Sequence, residues 1–192
     1  MSGTNDLSLK MEQNILWLKE RFSDCDDFIM KHWHFGPHFR STGLSVYLET
    51  LTPDENTNRL KSLLQDLVEH EVGAGEEVTA KAIISFVEKH GVSSHKFSVI
   101  AGRDAVVESI LNGQIVILLE RWPKAIAYDA LSVEARKVDE PIAESVVQGP
   151  REGAVENLAT NIGLIRSRLR NDALKMIIVK SGGLTRTKVA YS

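Results

Sequence analysis

The chain has 192 residues, 43% hydrophobic and 26% charged, the composition of a globular protein large enough for one domain or two small ones. Its 23 Lys and Arg against 26 Asp and Glu leave a net charge of −3, without the basic surplus that marks nucleic-acid or anionic-membrane binding. Cys25 is the single cysteine, which excludes an internal disulfide and suits a reducing compartment. No basic-then-apolar leader opens the sequence, and no apolar run approaches the roughly 20 residues needed to span a bilayer, so a soluble chain is expected.

Residues 9–22 predict an amphipathic helix, with Met11, Ile15, Leu18 and Phe22 recurring at spacings of three and four. An acidic S-D-C-D-D at 23–27 follows, then F-I-M, then a loop rich in aromatics and histidines, H-W-H-F-G-P-H, then an apolar strand at 44–51. Thr52-Pro53 is a good helix opening, because Thr can cap and Pro tolerates the first helical position. Leu60, Leu63, Leu64, Leu67 and Val68 would form that helix's buried stripe. After Gly73 and Gly75, residues 78–89 predict a third helix closed by Gly91. Residues 91–96 are the best candidate boundary, dividing the chain into subdomains at 1–92 and 93–192.

The second half predicts a strand at 97–100, a helix at 104–111 ending at Asn112-Gly113, and a hairpin of 114–119 with 125–130 around R-W-P-K. Residues 133–138 read as a third strand, 150–170 as a long helix, and 174–179 with 186–191 as a last hairpin turned by S-G-G. The pattern is still strand-like at T-K-V-A-Y-S, and a continuing segment is expected. The fold class is mixed α/β (α+β) in two small subdomains, the second strand-rich with a long amphipathic helix.

Several residue groups invite a chemical role. Gly149-Pro150-Arg151-Glu152-Gly153 lacks the Lys-Ser/Thr spacing of a phosphate loop and reads as a helix start, with Gly149 at the cap, Pro150 in the first turn and Glu152 at the positive helix end. His32, His34 and His38 flank Trp33, but no Cys or carboxylate sits at a supporting spacing and Gly36-Pro37 breaks the run, so no metal is expected. Cys25 lies between Asp24 and Asp26, whose charges oppose thiolate formation, and the serines lack a nucleophile elbow. Acid pairs such as Asp26-Asp27 read as solvated loop charges. Neither an enzyme nor a cofactor is expected.

Within the long helix, Val155, Leu158, Ile162, Ile165 and Leu169 share a stripe about 80° wide, predicted to face the core. Asn157, Asn161, Leu164 and Arg168 form a second stripe, and Leu164 there implies that this face also meets protein. Arg166, Arg168 and Arg170 crowd the last turn, either complementing the negative helix end or meeting an anion or partner.

Taken together, I-L-N-G-Q-I-V-I-L-L (110–119), P-K-A-I-A-Y-D (123–129), V-V-Q-G-P-R-E-G (146–153), T-N-I-G-L-I-R-S-R-L (160–169) and T-K-V-A (187–190) closely resemble a block in the A subunits of the nutrient germinant receptors of endospore-forming bacteria. The likeness runs from about residue 106 to the end, with looser matches at N-I-L-W-L-K (14–19), S-D-C-D-D and L-S-V-Y-L-E-T-L (44–51). It implies a soluble N-terminal domain followed by a membrane domain, in the spore inner membrane, thought to form an ion-conducting assembly; the missing leader and the single Cys put the expected location on the spore-core side. It also implies partnership with a transporter-like B subunit and a lipoprotein C subunit, and it leaves room for self-association of A subunits. Arg151 and Glu152 would then help hold subdomains or subunits in register. The signalling role expected is conformational. The rival is a two-lobed module whose inter-lobe cleft directly holds a nutrient or ion.

Overall fold

Ile115-Val116-Ile117-Leu118-Leu119 is apolar at every position, the pattern of a strand covered on both faces, and it forms the middle of a five-stranded sheet in the computed structural model. The structure describes residues 5–35, 38, 41–52, 79–90, 97–129, 157–182 and 187–191. In chain order the elements are α1 (Met11–Arg21), β1 (Phe28–Phe35), β2 (Ser41–Leu48), α2 (Ala80–His90), β3 (Phe97–Ala101), α3 (Arg103–Leu111), β4 (Ile115–Leu119), β5 (Lys124–Tyr128), α4 (Leu158–Arg168), β6 (Ile177–Ser181) and β7 (Thr187–Tyr191). The large sheet runs β1-β2-β4-β5-β3, antiparallel at every pairing, and β6 with β7 makes a separate two-stranded ribbon.

Strand alternation sorts the sheet into two apolar faces. Leu44, Val46, Leu48, Val116, Leu118 and Ala125 point to one face, where Leu18 and Phe22 from the α1 end and Val106 and Ile110 of α3 cover them. Tyr47, Ile115, Ile117, Leu119, Ile126 and Tyr128 point to the other, under Ile83 and Val87 of α2. The result is three layers, α1 with α3, the sheet, then α2. Asn14 is buried at the start of this arrangement because its amide exchanges two hydrogen bonds with the backbone of Ser8, which ties the chain ahead of α1 to the helix.

The sheet corrects the division at 91–96. Strand β2 precedes that segment and β4 follows it, yet Gly43–Val46 pairs with Val116–Leu119. The physical reason is that β2 is buried along Gly43–Leu48 and cannot leave its second edge open; β4 satisfies that edge as well as both faces. A second correction concerns the histidines. His32 and His34 belong to β1 rather than to a loop, exposed on one side of the strand while Trp33 and Phe35 are half-buried on the other. The expected helix after Thr52 and the strand at 133–138 lie outside the described residues.

Gly43 is opposite Trp33 in the β1–β2 register, and a Cβ there would come within 2.5 Å of the indole ring. The ring is held by its Nε1 donating to Ser45 Oγ at 3.0 Å. Gly43→Ala is expected to cost about 1–3 kcal/mol by overpacking and to shift Trp33 fluorescence through loss of that hydrogen bond. Unchanged emission and an unchanged denaturation midpoint would refute the close-approach role.

Candidate interface at the C-terminal helix

Asp24, in the turn after α1, adopts a left-handed backbone (φ 57), which Asp tolerates better than most residues. The turn points its backbone at residues beyond α4: Met176 donates to the Asp24 carbonyl at 3.0 Å, and Asp26 donates to the Met176 carbonyl at 2.8 Å, forming a parallel bridge between Cys25 and Met176. The Asp26 carboxylate accepts from the Ile178 backbone N–H at 2.6 Å. Three consecutive acidic-turn residues therefore seat the start of β6.

Asp27 completes the turn and is the electrostatic centre of the joint. Its Oδ2 accepts from Arg166 Nε at 2.5 Å and its Oδ1 from Arg166 Nη2 at 2.6 Å, the bidentate geometry that a guanidinium fork favours. Both side chains are only 1% exposed. Thr50 Oγ1 donates to the same carboxylate at 2.8 Å, while Arg166 Nη1 donates to the Leu174 carbonyl at 3.2 Å. Burial disfavours the Arg166 cation, but hydrogen bonding and charge from Asp27, with a smaller contribution from Cys25, outweigh it and hold the pKa above the ordinary value. At the rim, Arg170 donates to Asn112 Oδ1 at 2.9 Å, Lys175 donates to the Arg21 carbonyl at 3.0 Å, and Arg21 pairs with Asp172.

The joint revises the sequence reading of α4. Asn157 caps α4, its side chain accepting from Ala159 and Thr160 N–H, and the expected start at Pro150 lies outside the described residues. The buried side is Ile162, Gly163 and Arg166, whereas Ile165 and Leu169 of the predicted core stripe are 42% and 56% exposed. Asn161 and Leu164 are half-buried and Arg168 is exposed. Arg166 meets Asp27 of its own chain, and Asp27 is not a solvated loop charge. Gly149, Pro150, Arg151, Glu152 and Gly153 lie outside the described residues. The reading missed Gly163: a Cβ there would sit 2.5 Å from the Thr50 carbonyl oxygen, so α4 approaches the end of β2 as only glycine allows.

The chemistry of this site is positional. Among the described residues no group of three His, Cys, Asp or Glu side chains converges as a metal site would require, and no helix is long and apolar enough to cross a membrane. Cys25 is buried with its Sγ 3.7 Å from the Leu174 carbonyl, a packing environment within the joint.

The solved N-terminal domain of the A subunit of the Bacillus megaterium spore germinant receptor GerK3 matches with a TM-score of 0.68 over 96% of this chain and 64% of that one, at 16% identity, a likeness of fold. The sequence profile of the Bacillus/Clostridium GerA spore germination protein family matches residues 17–192, and the chain belongs to that family. Two Bacillus subtilis (strain 168) relatives are spore germination protein A1, 33% identical over 95% of this chain and 33% of its own length, and spore germination protein B1, 27% identical over 95% and 36%. The uncharacterized membrane protein YfkQ of the same organism is 26% identical over 97% of this chain and 34% of its own length. The chain thus spans about a third of the length of these curated relatives.

Proposed function

We propose that this chain is the signal-transducing and assembly module of a germinant receptor A subunit, working without bond chemistry of its own. The observation that carries the reading is the family match across nearly the whole chain, on a fold shared with a receptor A-subunit N-terminal domain. The B and C subunits and the A subunit's own membrane domain are the proposed partners, at the spore inner membrane with this domain on the core side. The two-lobed solute binder finds less support, because the β2–β4 pairing joins the strands on either side of the segment where its hinge was expected. Calorimetric titration of candidate amino acids, sugars and ions against the chain distinguishes the two; saturable binding favours the solute-binding module.

The signature at 149–153 supplies a genetic test. Arg103 lies over the Trp17 ring at 5.2 Å, a cation–π contact worth about 0.5–1 kcal/mol, so Arg103→Ala is expected to do little. Arg151→Ala is expected to lower the germination rate or the receptor level in spores more strongly. Equal rates and equal receptor levels for the two variants would remove the argument from the signature.

A further inference from the structure

The surface by which α4 and β6 meet the main sheet is built unlike either core. Both cores are dominated by aliphatic and aromatic side chains, with only neutral polar groups such as Asn14, Ser45 and Ser109 buried beside them, whereas the centre of this joint is a carboxylate and a guanidinium, each 1% exposed. Around that pair, Thr50, Asp26, Arg170 and Lys175 contribute further polar contacts. Ile162 and Met176 are 2% and 3% exposed, yet neither belongs to the two core clusters. Opening an apolar core exposes hydrocarbon to water, with no gain in hydration to set against that cost. Opening a buried ion pair instead returns both charges to water, and the recovered hydration cancels much of the lost attraction. A joint of this kind is exacting in geometry but small in net free energy.

Gly163 is the second, independent observation. A glycine inside a helix is less favourable than alanine there, because it gives up more backbone freedom. The α4 helix carries that local cost at the position where its backbone passes the Thr50 carbonyl. The sequence of α4 thus favours close docking over helix stability. The helix also touches β7, so α4, β6 and β7 hold together apart from the large sheet.

We infer that the joint is a latch: α4, β6 and β7 dock as one unit on the turn at Asp24–Asp27 and the end of β2, and release as one unit while the five-stranded sheet stays folded. Its biological meaning rests on the signalling reading proposed above, since docked and released states are the two arrangements a germination signal would bias. The latch itself is a property of the chain.

Hydrogen exchange on the 192-residue chain tests it. The Asp26, Met176 and Ile178 amides report docking, and the amides of β2 and β4 report the sheet. In the unmodified protein the docking amides should exchange at least tenfold faster than the sheet amides. Gly163→Ala adds a methyl against a backbone carbonyl while favouring the helix, so docking amides should exchange at least tenfold faster still, with sheet amides within twofold of their original rate. The double variant Asp27→Leu/Arg166→Met, which swaps the ion pair for apolar groups, should slow docking-amide exchange or leave it unchanged. Docking and sheet amides that accelerate together, or docking amides indifferent to Gly163→Ala, would overturn the latch. In spores, a receptor carrying the double variant should germinate more slowly; normal germination beside the expected exchange pattern would retain the latch and reject the signalling reading.

Discussion

Leu118→Ala will lower the unfolding free energy of the whole chain by about 2–5 kcal/mol, the range for truncating a fully buried aliphatic side chain. Leu118 is 1% exposed in the central strand, paired with Leu44 on one side and Ala125 on the other, so no neighbour can move into the space without disturbing β2 or β5. For a chain of this length the melting temperature should fall by roughly 4–20 °C. Differential scanning calorimetry reads the shift directly. A fall of less than 1 °C would mean that β4 is not the centre of the folded structure.

Asp27→Asn will have an effect as large in energy and opposite in reach. The substitution keeps the shape of the side chain but leaves the Arg166 charge buried against a neutral amide, at a cost of about 3–5 kcal/mol. Because the joint is weaker than the sheet, the loss appears as undocking. Protection at Met176 and Ile178 should fall to that of an undocked segment, because the cost exceeds the small net free energy of docking. The main calorimetric transition should move by no more than the docking free energy. Arg166→Met alone is expected to behave alike, because it strands the carboxylate, whereas the apolar double variant restores docking. Equal protection in Asp27→Asn and the unmodified chain would show that the pair carries no docking energy.

Where packing is local, the sequence announces it. The all-apolar run of β4, the turn at Arg121-Trp122-Pro123 and the 3–4 spacing in α1 each encode their element within a dozen residues, and each is found where expected. Strand β1 was legible too, through the alternation of Trp33 and Phe35 with His32 and His34, but the cluster of rings followed by Gly-Pro reads more easily as a loop. The β2–β4 pairing has no local signature at all, since a strand's sequence reports that it needs a neighbour and not which one.

The joint was hidden for a different reason. Angular arithmetic on α4 ranks faces by hydrophobicity and so selects Ile165 and Leu169, while the face that docks is chosen by backbone proximity at Gly163 and by charge at Arg166. Asp27 and Arg166 are 139 positions apart; Asp27 reads singly as a solvated loop charge, and Arg166 as a cation at a helix end or facing an unnamed anion or partner. The crowding of Arg166, Arg168 and Arg170 in the last turn, and the shared helix motif that holds Arg166, drew attention to one of the two but not to its partner.

The strand order also sets a schedule for synthesis. A ribosome delivers β1 and β2 early, but β2's second partner emerges roughly 65 residues later, and at bacterial elongation rates of about 5–20 residues per second that is a wait of roughly 3–13 s. During it the hairpin exposes Leu44, Val46 and Leu48 on one side and Tyr47 on the other, with an unpaired edge between them. Exposed apolar surface beside an unpaired edge makes a nascent chain prone to aggregate. Folding of the sheet is therefore withheld until β4 and β5 arrive, and a nonsense or frameshift lesion before residue 115 yields a fragment fit for proteolysis rather than a smaller working domain.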